Sequence, residues 1–376
     1  MIKAHKIRLH PTPEQANYFA RAAGTARFTF NWALAEWKRQ YEAGGKPNAA
    51  ALKKQFNAIR REQFPWSYEV TKCALEGAFM DVAVAFKNFF AGRKAGRKTG
   101  YPQFKSKKRS RHSFYLANDK FTVGDHWIEV PKLGRVNMAE KMRFAGKILC
   151  ARISKTADWW FVSITVEMAE RTPAANTQPP VGMDVGLNRL ATLSDGRRYE
   201  NQRPLGHLLN KLRRLNKELA RRTKGGKNWQ KTKGQLGRLH YRIACLRHDL
   251  LHKLTTEVAK SASLVGVEDL HVKGLVRNRC LSRSFSDAAL GKLLDVLENK
   301  VAREGGVLVK VDRFFPSSQL CHQCGWRWKD ITLADRVFVC QNPACQNVCD
   351  RDVNAALNIL QEALRLVGLR DEVVPP

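Results

Sequence analysis

The chain opens on a short apolar–basic run, Ile7-Arg8-Leu9-His10, which reads as a strand. Thr12-Pro13-Glu14-Gln15 then combines an N-cap, a proline at the first helical position and a glutamine three residues after the cap, which predicts a helix start. Helical spacing continues to about residue 43, where Gly44, Gly45 and Pro47 break it, and two more helical stretches follow near 48–62 and 67–91. Their aromatics (Phe28, Phe30, Trp32, Trp37, Tyr41, Phe79, Phe86, Phe89, Phe90) are expected to pack between helices, with a few exposed ones available to stack on bases. Strict alternation in Trp127-Ile128-Glu129-Val130 and in Phe161 to Val166 predicts β structure across residues 113–168. The Pro- and Ala-rich run from Arg171 to Pro180 reads as a linker and the main domain boundary.

The second half changes pattern. Val181-Gly182-Met183-Asp184-Val185-Gly186 is a buried-looking strand holding one acid, and a hairpin follows through Ala191 to Gly196. Residues 203–247 read as a two-helix hairpin broken at Gly225-Gly226, with Leu208, Leu212, Leu215 and Leu219 as its apolar stripe. Leu264 to Glu268 is a second apolar strand ending in an acid. Leu290, Leu293, Leu294, Leu297 and Val301 mark a helix, and Val307 to Val311 a further strand. The last helix begins at Asp350-Arg351-Asp352, with Val353, Leu357, Leu360, Leu364 and Val367 on one face. No internal repeat is visible.

Charge adds a partner to this outline. The 376 residues carry 66 Lys and Arg against 34 Asp and Glu, a formal net charge of +32. Soluble surfaces usually mix the two signs, so an excess of this size points to a polyanion. An anionic membrane fits less well. No apolar run approaches 18 residues, no basic helix has a clean apolar face, and the N-terminus lacks a hydrophobic signal core. A cytoplasmic, nucleoid-associated protein is expected. The basic residues cluster. Residues 93–111 contain Lys94, Arg97, Lys98, Lys105, Lys107, Lys108 and Arg109 with no acid among them, interrupted by glycines and Pro102. The stretch 203–247 holds fourteen Lys and Arg, including Arg213, Arg214, Arg221, Arg222 and Lys224, against the single acid Glu218. Phosphate contact is the natural use of both, a solvated loop or helix face being the simpler alternative.

Candidate chemistry lies in cysteines and acids. Five of nine cysteines crowd into residues 321–349, which in an intracellular chain means metal rather than disulfides. Cys321-x-x-Cys324-Gly325 is a zinc knuckle. Cys340 and Cys345 supply a second, looser pair, with Cys349 competing for the fourth position. Four cysteine ligands close the coordination sphere, so this zinc would be structural. Asp184 sits mid-strand among apolar neighbours, Glu268 ends a similar strand, and Asp352 opens an amphipathic helix. A buried carboxylate is costly unless it is paired or binds metal. Three acids converging at one end of a mixed sheet could hold two Mg²⁺ about 4 Å apart for phosphodiester hydrolysis.

Gly-x-Asp184-x-Gly, Val-Glu268-Asp-Leu, Ser317-Ser318-Gln-Leu-Cys-x-x-Cys-Gly and Asp350-Arg-Asp-Val-Asn-Ala-Ala-Leu-Asn-Ile resemble the transposon-encoded OrfB/TnpB proteins, compact relatives of the type V CRISPR effectors. Leu9-x-Pro-Thr-Pro-Glu-Gln, Phe30-Asn31-Trp32-Ala-Leu and Tyr101-Pro102-Gln-Phe104-Lys105 extend the resemblance to nearly the whole chain. It implies an RNA-guided DNA endonuclease, cutting guide-matched double-stranded DNA beside a short flanking motif. The implied fold is α/β with β-barrel and helical parts. A wedge-like β-barrel would take residues 1–10 and 93–172, a helical recognition domain 11–92 and a linker 173–180. A RuvC-like, RNase H-like nuclease domain would take 181–315 and 348–370, around a zinc-ribbon insert at 316–347, with a tail at 371–376. The implied catalytic, Mg²⁺-holding acids are Asp184, Glu268 and Asp352, the last chosen over Asp350 because it fits the family's Asp-x-Asn-Ala pattern. Guide RNA from the transposon end and target DNA would be the partners of a monomer binding one RNA. One departure stands out: the family usually has Cys-x-x-Cys-Gly where this chain has Cys340-x4-Cys345-Gln346. Three other readings compete: a nuclease-inactive RNA-guided repressor, a DNA-joining transposase and a non-catalytic zinc-ribbon regulator. All three acids are present, which weighs against the first. The middle acid is Glu rather than Asp, which weighs against the second.

Overall fold

The computed structural model describes residues 1–169, 173–332 and 334–368. Part of the expected linker, the last residues of the expected wedge and the tail at 371–376 lie outside the described residues. The chain divides into two compact units, Met1–Arg171 and Thr172–Pro376.

In the first unit, β1 (Ile2–His10) leads into α1 (Pro13–Glu42), and the expected capping box forms: Gln15 N–H donates to Thr12 Oγ1, and the Gln15 side chain accepts from Thr12 N–H. Helices α2 (Ala49–Gln63) and α3 (Cys73–Lys94) follow, with a short 3₁₀ turn at Pro65–Glu69 between them. Strands β2 (Ser113–Ala117), β3 (Thr122–Val123), β4 (Trp127–Val130), β5 (Gly134–Met138), β6 (Lys147–Thr156) and β7 (Trp159–Glu167) complete a seven-stranded sheet in the order β2-β6-β7-β1-β5-β4-β3. Every pairing is antiparallel. Among the described residues the hydrogen-bonded order ends at β2 on one side and β3 on the other; the resemblance implies a wedge-like barrel for this part. Two cores result. Ile7, Leu9, Phe19, Phe114, Ile153 and Trp160 pack sheet against helix. Phe30, Leu34, Leu52, Phe56, Phe79 and Phe86 join the three helices, so most of the helical aromatics are core, while Tyr41 and Phe90 are exposed.

In the second unit, β8 (Val181–Val185), β9 (Arg189–Leu193), β10 (Arg198–Glu200), β11 (Leu264–Glu268) and β12 (Val307–Val311) form a sheet in the order β10-β9-β8-β11-β12. β8, β11 and β12 run parallel, and β9 runs antiparallel to both of its neighbours. The basic hairpin consists of α4 (Pro204–Arg221) and α5 (Lys227–Ser261), zipped by Leu215, Leu239 and Ile243. α5 runs fourteen residues beyond the expected end at 247, because Leu251, Leu254 and Val258 carry its apolar stripe on into the core of this unit. α6 (Val272–Arg277), α7 (Ser282–Ala288) and α8 (Leu290–Arg303) precede β12. A small ladder of β13 (Val337–Val339) and β14 (Val348–Asp350) ends at α9 (Arg351–Leu366).

α9 lies unusually close to the sheet, and two glycines allow it. A Cβ built on Gly182 of β8 would stand 2.0 Å from Ala356 O, and one on Gly266 of β11 would stand 2.7 Å from Ala363 Cβ. Both glycines are buried and in ordinary strand geometry, so the need is for space rather than for a special backbone angle. We therefore predict that Gly182→Ala, by forcing α9 off the sheet, lowers the stability of the second unit by about 3 kcal/mol or more. Thermal unfolding followed by circular dichroism will show this as a lower transition, and Gly266→Ala, whose Cβ meets the Ala363 methyl at 2.7 Å and the Ile359 carbonyl oxygen only at 3.1 Å, will cost less.

Candidate metal centre and nucleic-acid interface

Three acids meet at one end of the mixed sheet. Met183 of β8 and Val267 of β11 are register partners, so the next residues, Asp184 and Glu268, leave adjacent parallel strands side by side. Asp352 stands in the first turn of α9. All three line one cavity of about 600 Å³, together with Arg189, Ser317 and Arg351. Burial pushes the Asp184 carboxyl up to about 7, and the negative charges of Glu268 and Asp352 add to the effect, with Arg351 and the Val185 amide opposing. Such a site favours a divalent cation, whose charge would offset both the repulsion and the lost hydration, and its three carboxylates are hard oxygen donors suited to Mg²⁺.

Asp350 is differently employed. Its Oδ1 accepts the amides of Asp352 (3.0 Å) and Val353 (3.3 Å) as the N-cap of α9. Its Oδ2 accepts from Arg189 Nη1 at 2.8 Å and faces Arg198 Nη2 at 3.2 Å. Burial works against ionisation, yet the Arg189 hydrogen bond and these amides hold the Asp350 carboxyl below the usual carboxylate range. Asp352 keeps looser partners, Arg351 Nη2 at 3.1 Å and Arg189 Nη1 at 3.8 Å.

One residue that the sequence marked only as part of a motif reaches this site, and two more hold the chain that carries it. Ser317 is buried, and its Oγ donates to Glu268 Oε1 at 2.6 Å. Asn354 and Asn358, both buried in α9, clamp the chain leading into the cysteines. Asn358 Nδ2 donates to Ser317 O and Leu320 O, each at 2.7 Å, and Asn354 Nδ2 donates to Leu320 O at 2.6 Å. Asn354 Oδ1 accepts from His322 N at 3.0 Å. The signal available for the asparagines was their i, i+4 spacing within an otherwise apolar helix face.

The ligand atoms of Cys321, Cys324, Cys340 and Cys345 all lie within 4.8 Å of one another. The sulfurs of Cys321 and Cys345 are 3.8 Å apart and those of Cys324 and Cys340 are 3.5 Å apart. A tetrahedral zinc with Zn–S near ~2.3 Å sets S···S at about 3.8 Å, so the four thiols fit that ion. Among the described residues they are the group gathered this tightly, and Cys349 is not in it. Instead it borders the small core of Phe338, Trp326 and Trp328. The odd spacing has a geometric solution. In the first knuckle Gly325 N–H donates to Cys321 O at 2.9 Å, and Gly325 is left-handed at φ 73°. In the second, Gln346 N–H donates to Asn342 O at 3.0 Å, and Gln346 is left-handed at φ 49°. The same turn is built twice. Asn342 occupies the place that Cys321 has in the first, and the ligand Cys340 sits two residues upstream, next to the end of β13.

The basic residues differ in how free they are. Lys94, Arg97, Lys98, Lys107, Lys108 and Arg109 are exposed on and after the end of α3, as are Arg213, Arg214, Arg221 and Lys224 on and just past α4. Lys105 is committed within its own unit: its Nζ is 3.1 Å from Asp81 Oδ2 and lies over the Phe30 ring, while its backbone exchanges hydrogen bonds with the Asn31 side chain. Arg222 donates to Asn228 O at 2.7 Å and pairs with Glu218 at 3.6 Å, bracing the helix hairpin. Among the described residues no helix is long and apolar enough to cross a membrane.

A family described as "Probable transposase" matches residues 163–279, and one described as "Cas12f1-like, TNB domain" matches residues 291–359. A third, described as "Helix-turn-helix domain", matches residues 1–46, which here form β1 and the single helix α1. The chain aligns over 93% of its length with the Cas12f1 chain of a Cas12f1–sgRNA–target DNA complex, at a TM-score of 0.57 and 16% identity, covering 83% of that chain. The mini-RNA-guided endonuclease CRISPR-Cas_phi3 aligns at a TM-score of 0.50 and 10% identity, over 100% of this chain and 94% of the other. The fold is thus like that of the compact Cas12 effectors. A protein of Streptomyces pristinaespiralis named "Putative RNA-guided DNA endonuclease" is 34% identical over 382 residues, covering 99% of this chain and 92% of its own. The InsQ protein of Escherichia coli K12, given the same descriptive name, is 32% identical over 379 residues, covering 96% and 92%. The chain belongs to the transposon-encoded OrfB/TnpB family.

Two predictions follow from the geometry. Left-handed backbone costs a non-glycine residue roughly 1–2 kcal/mol, partly offset by glycine's greater freedom when unfolded. Gln346→Gly should therefore slow zinc release to a chelator by about two- to fivefold, read with a chromogenic zinc indicator. The second concerns pH. A carboxyl whose proton is held more tightly in the folded state than in the unfolded chain stabilises the fold below the unfolded value near 3.8, and that contribution is lost as pH rises to about 7. Each tenfold in proton affinity corresponds to about 1.4 kcal/mol, so the loss is a few kcal/mol. In metal-free buffer Asp184→Asn should melt higher than the parent at pH 8 and close to it at pH 4, by scanning calorimetry.

Proposed function

We propose that the chain is an RNA-guided DNA endonuclease that cuts guide-matched double-stranded DNA next to a short flanking motif, with Asp184, Glu268 and Asp352 as its catalytic carboxylates. The observation that carries this reading is their convergence in one cavity, with Asp184 made a reluctant anion by burial and, further, by its two neighbours. The strand order 3-2-1-4-5, with the second strand reversed, supports an RNase H-like, RuvC-type nuclease domain made of residues 181–315 and 348–370. In that reading 1–10 and 93–172 form the wedge, 11–92 the helical recognition part and 316–347 the zinc-ribbon insert.

Bound Mg²⁺ would supply Lewis-acid stabilisation of the phosphodiester and an activated water. The chain's own residues do the rest. Asp184 and Glu268 are fixed by adjacent strands and Asp352 by the capped first turn of α9, so all three line the same cavity. Arg189, shared between Asp350 and Asp352, places positive charge at the edge of the cavity, where a phosphate oxygen would be drawn in. Zinc on Cys321, Cys324, Cys340 and Cys345 would be structural and would hold the ribbon beside α9. The relatives' names supply guide RNA and DNA as partners. The exposed Lys94, Arg97, Lys98, Lys107, Lys108 and Arg109, and the α4 face with Arg213, Arg214 and Arg221, supply sequence-independent backbone contacts.

The test is to purify the chain with RNA from its native locus, sequence that RNA, and assay cleavage of a plasmid carrying the matching target. Asp184→Ala, Glu268→Gln and Asp352→Ala should each lower cleavage by about 10³-fold or more, a typical loss for a group acting on charge in the transition state, with RNA binding retained. Undiminished cutting by Asp352→Ala would remove that residue from the site, and joining of transposon ends without RNA would replace the whole reading by a transposase.

A further inference from the structure

The chain between β12 and the first cysteine does more than connect them. After Pro316 it turns, with Gln319 and Leu320 amides both donating to Pro316 O, and it runs on along α9. Three side chains of α9 anchor that run: Asn358 holds Ser317 O and Leu320 O, Asn354 holds Leu320 O and His322 N, and Gln361 Nε2 donates to His322 O at 2.8 Å. The segment is thus fixed to the same helix that carries Asp352. At its start Ser317 is 5% exposed and spends its hydroxyl proton on Glu268 Oε1 at 2.6 Å. Glu268 needs such a partner. It ends its strand and faces two like charges, and free rotation would let its carboxylate swing away from Asp184 and Asp352. An O–H donor on Oε1 restrains the carboxylate's rotation and leaves Oε2 and the remaining lone pair of Oε1 available to a cation.

We propose that Ser317 is a positioning residue for Glu268: by donating to Oε1 while its own backbone is clamped by Asn358, it aims the glutamate at a divalent cation shared with Asp184 and Asp352. This rests on the reading of Glu268 as a metal-holding acid. It also explains why the run into the ribbon begins with a serine facing inward: the segment that leads to the zinc cysteines and the catalytic glutamate share one hydrogen bond.

The test uses the full chain and Mn²⁺ as probe, with binding followed by electron paramagnetic resonance of the free ion. Ser317→Ala should weaken Mn²⁺ binding about tenfold, in the range seen when a partner of a metal ligand is removed. It should raise the Mg²⁺ concentration for half-maximal cleavage of a guide-matched plasmid by a similar factor, with much of the maximal rate recovered at saturating Mg²⁺. Ser317→Thr, which keeps the hydroxyl, should restore both. Zinc content by elemental analysis and affinity for the co-purifying RNA should stay at the parent level in each variant. Parental Mn²⁺ affinity in Ser317→Ala would overturn the proposal, as would loss of zinc or RNA binding in step with Mn²⁺, since the residue would then be holding the fold and not aiming the glutamate. Glu268→Gln is measured alongside. If it leaves Mn²⁺ binding unchanged, the reading of the acid site falls and the positioning role falls with it; if it weakens binding while Ser317→Ala does not, only the positioning role falls.

Discussion

The close approach of α9 to the mixed sheet is the contact on which the second unit depends. Backbone meets backbone where Gly182 and Gly266 remove the side chains that would keep helix and sheet apart. That approach brings the first turn of α9, with Asp352, to the end of β8 and β11, where Asp184 and Glu268 emerge. The opposite requirement, for the ribbon, is met on the same helix by Asn354 and Asn358. One helix therefore carries an acid for the centre and the clamps for the cysteine module, and its apolar residues Ala355, Ala356, Ile359 and Ala363 seat it in the core.

A chain with a net charge of +32 concentrates negative charge at this one point. The sorting of acids there is electrostatic. Asp350, with two helix amides and two arginines, is a satisfied carboxylate that caps a helix. Asp184, with two carboxylates as neighbours and little water, is an unsatisfied one. Unfavourable electrostatics at rest are what a cation-binding site needs, because the same repulsion becomes affinity when the ion arrives. Stability is given up locally and regained from the packing of α9 and the surrounding core.

The ribbon shows how ligand spacing and turn geometry can part company. Both knuckles use a turn closed by an i to i−4 amide hydrogen bond and a left-handed residue. Only the first places both of its cysteines within the turn. In the second the turn is kept, Asn342 stands at its first position, and the strand before it brings in Cys340 from two residues upstream. The metal geometry is satisfied by sulfur positions and is indifferent to which residue of a turn delivers them.

Local physics made much of this legible in the sequence. The capping box at Thr12, the alternation of the strands, the basic hairpin with its glycine break and the crowding of cysteines each follow from residues near one another in the chain, and the structure has each of them. The choice between Cys345 and Cys349 was not legible, since four residues of spacing say nothing of where a turn falls. The structure gathers Cys345 with the other three sulfurs and leaves Cys349 on the apolar side. Nor could the sequence say that Lys105 is spent on Asp81 and Phe30, or that Ser317 reaches Glu268. These are contacts between residues 24 to 75 positions apart. Sequence fixes which groups can bond, because donors, charges and turn formers are properties of residues. Only the tertiary fold decides which of them meet, because groups distant in the chain come together only as elements pack; for the three acids that depends on how closely α9 can lie on two glycines far away in the chain.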